Sequence, residues 1–97
     1  KVQCVHDYDK NKEHGAWLFT ILVNNKDFIQ KKLRQYNIET NQVHFRNDKY
    51  SIFKSFVKGK KYPNMDYAEN KYLCIPVHHK VTNQKAKYIA DLINKIV

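Results

Sequence analysis

Two glycines, Gly15 and Gly59, are all that this 97-residue sequence contains. That excludes a Gly-rich phosphate loop, which needs several close-set glycines to bring backbone N–H groups onto an anion. Prolines and cysteines are as sparse, at two each. Cys4 and Cys74 lie far apart, form no CxxC pair and join no histidines at zinc-finger spacing. Two buried or half-buried free thiols in a cytosolic protein are the favoured expectation, with a disulfide as the alternative. No apolar run approaches the roughly 20 residues required to span a bilayer. No basic stub followed by an apolar core and a small-residue cleavage site opens the chain. The expectation is therefore a cytoplasmic protein with no membrane attachment. The GxSxG, HExxH and Cys–His nucleophile patterns are missing too, so as a catalyst on its own the chain looks empty.

Acidic residues are also few. Nine Asp and Glu face eighteen Lys and Arg, for a formal charge of +9. Such a balance raises nucleic acid, an anionic membrane or an anionic small molecule as partners. Sixteen of the basic residues are lysines, however, and they are dispersed. Lys26, Lys31, Lys32 and Arg34 form one group, Lys58, Lys60 and Lys61 a second, and Lys80, Lys85, Lys87 and Lys95 a third, as on a solvated surface. What is present in quantity is apolar: 42% hydrophobic and 13% aromatic residues, enough for a folded domain and too much for a disordered tail. A chain of this length makes one domain with one modest core. Because it begins at Lys1 and not at Met, a segment upstream is expected to be missing.

Residues 1–15 read as a polar lead-in ending in a loop at Lys12-Glu13-His14-Gly15. The run Ala16-Trp17-Leu18-Phe19-Thr20-Ile21-Leu22-Val23 is aromatic and β-branched, which predicts a strand covered on both faces, with Trp17 and Phe19 buried. Asn24 or Asn25 is placed to cap a helix from Lys26 to Tyr36, with Phe28, Ile29, Leu33 and Tyr36 on its apolar face. Asn37 can end that helix in a left-handed conformation. Residues Ile38 to Phe45 read as extended, followed by a short helical turn at Tyr50-Ser51-Ile52-Phe53. Pro63-Asn64 marks the entry to a short helix over Met65–Asn70. Tyr72-Leu73-Cys74-Ile75 is a short strand stopped by Pro76. Thr82 or Asn83 caps a last helix whose apolar residues are Ala86, Ile89, Leu92, Ile93, Ile96 and Val97. This order predicts an α+β fold: a small antiparallel-type sheet of about three strands with helices on one face.

The densest polar cluster is His44-Phe45-Arg46-Asn47-Asp48-Lys49-Tyr50, set between Val43 and Ile52-Phe53. A loop of this kind rising off a strand can wall a polar ligand site. It can equally be a surface loop whose Asp and Asn satisfy their own backbone. His78 and His79 are adjacent, and neighbours on an extended segment point to opposite faces, so a shared metal ion is not expected. His6 and His14 in the lead-in are given no site role either.

Three blocks taken together resemble the C-terminal region of the DegT–StrS family of sugar aminotransferases. The first is Trp17-Leu18-Phe19-Thr20-Ile21-Leu22-Val23 with Asp27-Phe28-Ile29 and Leu33. The second runs from Ile38-Glu39-Thr40 through Val43-His44-Phe45-Arg46-Asn47-Asp48-Lys49-Tyr50-Ser51-Ile52-Phe53, with Asn37 where the family usually has glycine. The third is Leu73-Cys74-Ile75-Pro76-Val77-His78-His79-Lys80-Val81-Thr82, with His79 in place of the common proline. The resemblance covers residues 16–97, which it implies are the C-terminal small domain of an aminotransferase, with 1–15 leading in from a missing N-terminal region.

The resemblance further implies a pyridoxal-phosphate-dependent transaminase acting on keto sugars, usually nucleotide-linked, in amino-sugar biosynthesis. The intact protein is expected to be a homodimer. Its cofactor lysine, pyridinium-pairing acid and phosphate contacts are expected in the missing N-terminal cofactor domain, so that no residue of this chain is catalytic or holds cofactor or metal. His44, Arg46, Asn47 and Tyr50 carry over as candidate substrate contacts, an Arg fork suiting phosphate or sugar hydroxyls. Two other readings compete. One is a stand-alone basic module binding nucleic acid, with Trp17, Phe19, Phe45 or Tyr50 as stacking platforms; the expected burial of Trp17 and Phe19 counts against it, and no nucleic-acid partner is expected. The other is a non-catalytic assembly domain derived from the same family.

Overall fold

The computed structural model describes residues 2–5, 9–13, 15 and 17–97. His6 and His14 lie outside the described residues. The architecture is α+β, as the residue pattern predicts. Three strands, β1 (Gln3–Cys4), β2 (Phe19–Leu22) and β3 (Tyr72–Ile75), form a sheet in the order β1-β2-β3, antiparallel throughout. Between β2 and β3 come helix α1 (Lys26–Gln35), 3₁₀ turns at Asn47–Lys49 and Ser51–Phe53, and short helices α2 (Lys54–Val57) and α3 (Pro63–Glu69). Helix α4 (Asn83–Ile96) closes the chain.

Alternation along the strands sorts the sheet's faces. Ile21 and Leu73 are cross-strand partners and point to α1 and α4. There they form the core with Val23, Ile29, Leu33, Ile89, Leu92 and Ile93. Thr20 and Cys74, one residue on, pair on the opposite face and are also buried. Both main-chain groups of Cys74 bond to Asn41, its N–H donating at 2.8 Å and its C=O accepting at 3.2 Å. Thr20 and Cys74 therefore meet as a non-hydrogen-bonded pair, whose side chains sit close, with Oγ1 and Sγ 3.5 Å apart.

Several local expectations are met in physical detail. Thr82 caps α4 by accepting from the Lys85 N–H. Asn37 has φ +57°, the left-handed region that glycine enters freely and asparagine tolerates. Both cysteines are free thiols; Cys74 is buried as expected, whereas Cys4, on the edge strand, is exposed.

Other expectations are corrected. The strand expected from Ala16 begins only at Phe19, and Trp17 is 73% exposed, not buried. Residues 38–45 form no strand; they make one isolated bridge, Asn41 to Cys74. The third strand comes instead from the polar lead-in, where Gln3–Cys4 pairs with Ile21 and Leu22. Asn25 sits at the start of α1 in a left-handed conformation (φ 59°) with no side-chain cap bond. Of the apolar face assigned to α1, only Ile29 and Leu33 are buried, while Phe28 and Tyr36 are about half exposed. Ala86 and Val97 likewise lie outside the buried stripe of α4. For α1 and α4 the reason is width: a three-stranded sheet covers a stripe narrower than the apolar residues available to fill it.

Candidate functional site

The polar cluster at 44–50 occupies the connection from α1 toward α2, and the fold pins that connection at successive points. Gln30 on α1 donates to the Thr40 carbonyl at 2.7 Å. The Asn41–Cys74 bridge stitches the next residue to the sheet edge. Lys26 at the head of α1 donates to Gln42 Oε1 at 2.8 Å and to the Glu69 carbonyl at 3.2 Å, joining the connection to the end of α3. Thr40 is buried, and its Oγ1 has no partner among the described residues.

Arg46 is the electrostatic centre. Only 7% exposed, its guanidinium makes a bidentate pair with Asp48, Nε to Oδ1 at 2.9 Å and Nη2 to Oδ2 at 2.6 Å. Its Nη1 donates to Asp66 and, at 3.3 Å, to Glu69, both on α3. Lys49 completes the set, its Nζ 2.6 and 2.7 Å from the two Glu69 carboxylate oxygens. Two cations and three carboxylates thus clamp the 46–49 turn onto α3. The hydrogen bonds that Arg46 donates to Asp48 and Asp66 push its guanidinium up from its ordinary value, so it stays charged throughout the accessible range. The hydrogen bond from Arg46 holds the Asp48 carboxyl below the usual carboxylate range. The bond from Lys49 does the same, most strongly, for Glu69.

His44, Asn47 and Tyr50 flank this clamp with their side chains exposed. His44 lies edge-on to Trp17, ring centroids 5.8 Å apart at 66°. Its main chain also reaches the Tyr72 phenol on the far face of the sheet. Burial, reinforced by a hydrogen bond with Cys74, pushes the Tyr72 hydroxyl up from its ordinary value. Three of the four sequence-predicted site residues are therefore exposed, on or beside the clamped turn. The fourth, Arg46, is turned toward this chain's own acids. Asp66 and Glu69 are the members that the sequence did not announce: they lie twenty or more residues from Arg46, and only the bias of acids toward α3 could have hinted at them. His78 and His79 are exposed, their rings 6.2 Å apart, and among the described residues no three metal-ligating side chains gather.

Pyridoxal phosphate does not fit the described residues. Its imine needs a desolvated lysine, with an acid for the ring nitrogen and donors for the phosphate. No described lysine is buried. Lys26, Lys49 and Lys87 are engaged with Gln42, Glu69 and Asp91.

Comparison with known proteins adds the following. Residues 1–94 match the DegT/DnrJ/EryC1/StrS aminotransferase family. The fold is shared with the sugar aminotransferase CalS13 from Micromonospora echinospora, at TM-score 0.84 and 22% identity over 97% of this chain and 25% of that one. It is shared less closely with PseC of Helicobacter pylori, an aminotransferase involved in the biosynthesis of pseudoaminic acid, at TM-score 0.61 and 20% identity over 81% of this chain and 23% of that one. The chain thus spans about a quarter of the length of either. No curated protein matches it.

Proposed function

This chain belongs to the DegT/DnrJ/EryC1/StrS aminotransferase family, and from that premise we propose that it forms one wall of the substrate cleft in a pyridoxal-phosphate-dependent aminotransferase acting on a nucleotide-linked keto sugar. In this reading residues 16–97 are the C-terminal small domain, residues 1–15 lead in from the rest of the enzyme, and the intact enzyme is a cytoplasmic homodimer serving amino-sugar biosynthesis. The cofactor sits on the larger domain, and the 97-residue chain alone neither holds it nor transfers an amino group. No helix among the described residues is long and apolar enough to cross a membrane.

The observation that carries the proposal is the clamped turn. A polar ligand is bound well when its partners are held before it arrives, because ordering them on binding costs free energy. Here Asp48, Asp66 and Glu69 fix the turn through Arg46 and Lys49, while His44, Asn47 and Tyr50 are exposed residues in reach of sugar hydroxyls. Arg46 joins them through its Nη1 arm. Asp66 is the outermost of its carboxylates, 63% exposed, and a substrate phosphate can take its place on the fork without disturbing the Asp48 pair.

The test is steady-state kinetics of the intact enzyme with a nucleotide-linked keto sugar. Replacing His44 or Arg46 by alanine should raise KM or lower kcat by about tenfold or more, the loss expected of one or two substrate hydrogen bonds. Unchanged constants in both variants remove these residues from the site.

One observation favours a second reading. Trp17 and Phe45 are both largely exposed, so the burial that argued against a nucleic-acid module does not hold for Trp17. That reading requires oligonucleotide binding by this chain that weakens steeply with salt; absence of binding at low salt eliminates it.

A further inference from the structure

Chain reversals at the end of α1 and after β3 meet around a groove of about 310 Å³. Asn37 turns the chain out of α1 in its left-handed conformation. Pro76 follows the last residue of β3, and the 76–82 loop turns back into α4. The floor of the groove is apolar. Ile38, Ile89 and Pro76 line it, and the two isoleucines are core residues with 7% and 8% of their surface left open. Tyr36 and Tyr88 flank this floor, each about half exposed. The charge around it is of one sign. Lys80 and Lys85 are lining residues together with His78, and none of the described residues that line the groove is acidic. Neither lysine is in an ion pair among the described residues.

The loop that carries these groups is braced before any ligand arrives. The Val81 N–H donates to the His78 carbonyl at 2.9 Å and the Lys80 N–H to His78 Nδ1 at 3.2 Å. Lys85 Nζ donates to the Lys80 carbonyl at 3.2 Å, which ties the loop to α4 and uses one of its three N–H groups. What fits such a groove follows from its parts. The volume stands at the low end of the roughly 300–1,000 Å³ typical of small-molecule sites, room for one ring and its substituent. Tyrosine rings beside an apolar floor favour a flat aromatic body, and ammonium groups without a carboxylate favour an anion. A bare anion would gain little, because exposed lysines hold ions weakly in water. Phosphate sites are commonly built from an arginine fork or a nest of main-chain N–H groups, and neither arginine nor glycine lines this groove. A carboxylate is the better match.

We propose that the groove between Asn37 and the 76–82 loop binds a small aromatic carboxylic acid, its ring on Ile38 and Ile89 beside Tyr36 and Tyr88, its carboxylate at Lys80 and Lys85. The site does not depend on the function proposed above. His44 reaches the Tyr72 phenol at the head of β3, whereas the groove opens past Pro76, at the other end of that strand. A ligand there bridges the end of α1 and the start of α4.

The experiment is a benzoate titration of the 97-residue chain followed by two-dimensional nitrogen–proton NMR. Amide resonances of Asn37, Val81, Lys85 and Tyr88 should shift together and saturate, while those of residues 44–50 stay in place. Acetate, which has the charge without the ring, and benzyl alcohol, which has the ring without the charge, should each bind at least tenfold more weakly. Lys80→Gln and Tyr88→Ala change exposed or half-exposed side chains, so the fold should survive, and each should weaken benzoate by about threefold or more. Absence of saturating shifts up to about 20 mM benzoate overturns the proposal. So does acetate binding as well as benzoate, which reduces the groove to scattered surface lysines, or benzyl alcohol doing so, which reduces it to an apolar patch. Phenyl phosphate binding tenfold more tightly than benzoate overturns the carboxylate and assigns the groove to aromatic phosphates. Benzoate affinity unchanged in both variants places the ligand elsewhere and overturns the site.

Discussion

Leu33→Ala and Phe28→Ala, compared side by side, test the frame on which the site is built. Both residues lie on α1, and hydropathy alone treats them as equals. The structure separates them: Leu33 is fully buried against the sheet and α4, while Phe28 is about half exposed with the Lys32 ammonium 5.8 Å from its ring centre. Truncating Leu33 removes its transfer energy and leaves a cavity among Ile21, Ile29, Leu73 and Ile93, at a cost of about 3 kcal/mol. A domain of this size has about 5–15 kcal/mol in all, so the variant should still fold. With a urea dependence of about 1.5 kcal/mol per molar, its unfolding midpoint should fall by about 2 M. Phe28→Ala forfeits partial burial and an exposed cation–π contact, under about 1 kcal/mol together, or less than about 0.7 M. Circular dichroism at 222 nm through a urea titration reads both. Equal midpoint shifts, or a larger one for Phe28, would mean that α1 packs on the sheet through a different face, and that the Gln30–Thr40 tether to the site loop is misplaced with it.

Two further outcomes are expected. Thr40→Val should leave stability unchanged or raise it by about 1 kcal/mol, because it replaces a buried hydroxyl that has no partner among the described residues with a methyl of the same shape; a loss of more than about 1 kcal/mol in urea unfolding would show that the hydroxyl is bonded. The clamp should be sensitive to acid. Asp48 and Glu69 are held below the ordinary carboxylate range in the fold, so their contribution is complete above about pH 5, clear of both ordinary values, and drains away as pH falls through their lower folded values. Amide resonances of Asn47 to Tyr50 should hold steady from pH 7 to 5 and move below about pH 4, ahead of those in α4; resonances that stay put down to pH 2 would show that the ion pairs do not hold the turn.

What was legible in the sequence and what was not divide along one physical line. Tyr72–Ile75, the Thr82 cap and the left-handed Asn37 were readable because each is decided by its own residue types: an apolar run stopped by proline, a hydroxyl three residues from the N–H it accepts, and a side chain that tolerates positive φ. The sheet was only half readable. Ile38–Phe45 has the composition of a strand, yet Ile38 and Thr40 are buried by α1 and the sheet edge, and only Asn41 pairs. Gln3–Cys4 has no strand signal at all and becomes a strand because β2 offers it an edge. The motif at 44–50 was visible as a cluster of polar residues, and its position between the sheet and α3 agrees with a loop built to carry side chains. That Arg46 faces inward was not visible, because its direction is set by Asp66 and Glu69, residues brought to it only by the folding of α3.

The single rung between Asn41 and Cys74 has a consequence for how anything larger can be assembled around this unit. It occupies the outward main-chain groups at the middle of β3, and Pro76, two residues on and so facing the same way, has no N–H to offer. That border of the sheet is blunted against recruiting another strand. Along that border, neighbours must therefore recognise this protein by the shapes and charges of its side chains, which makes fidelity of assembly there a property of surface residues that point mutation can retune one at a time.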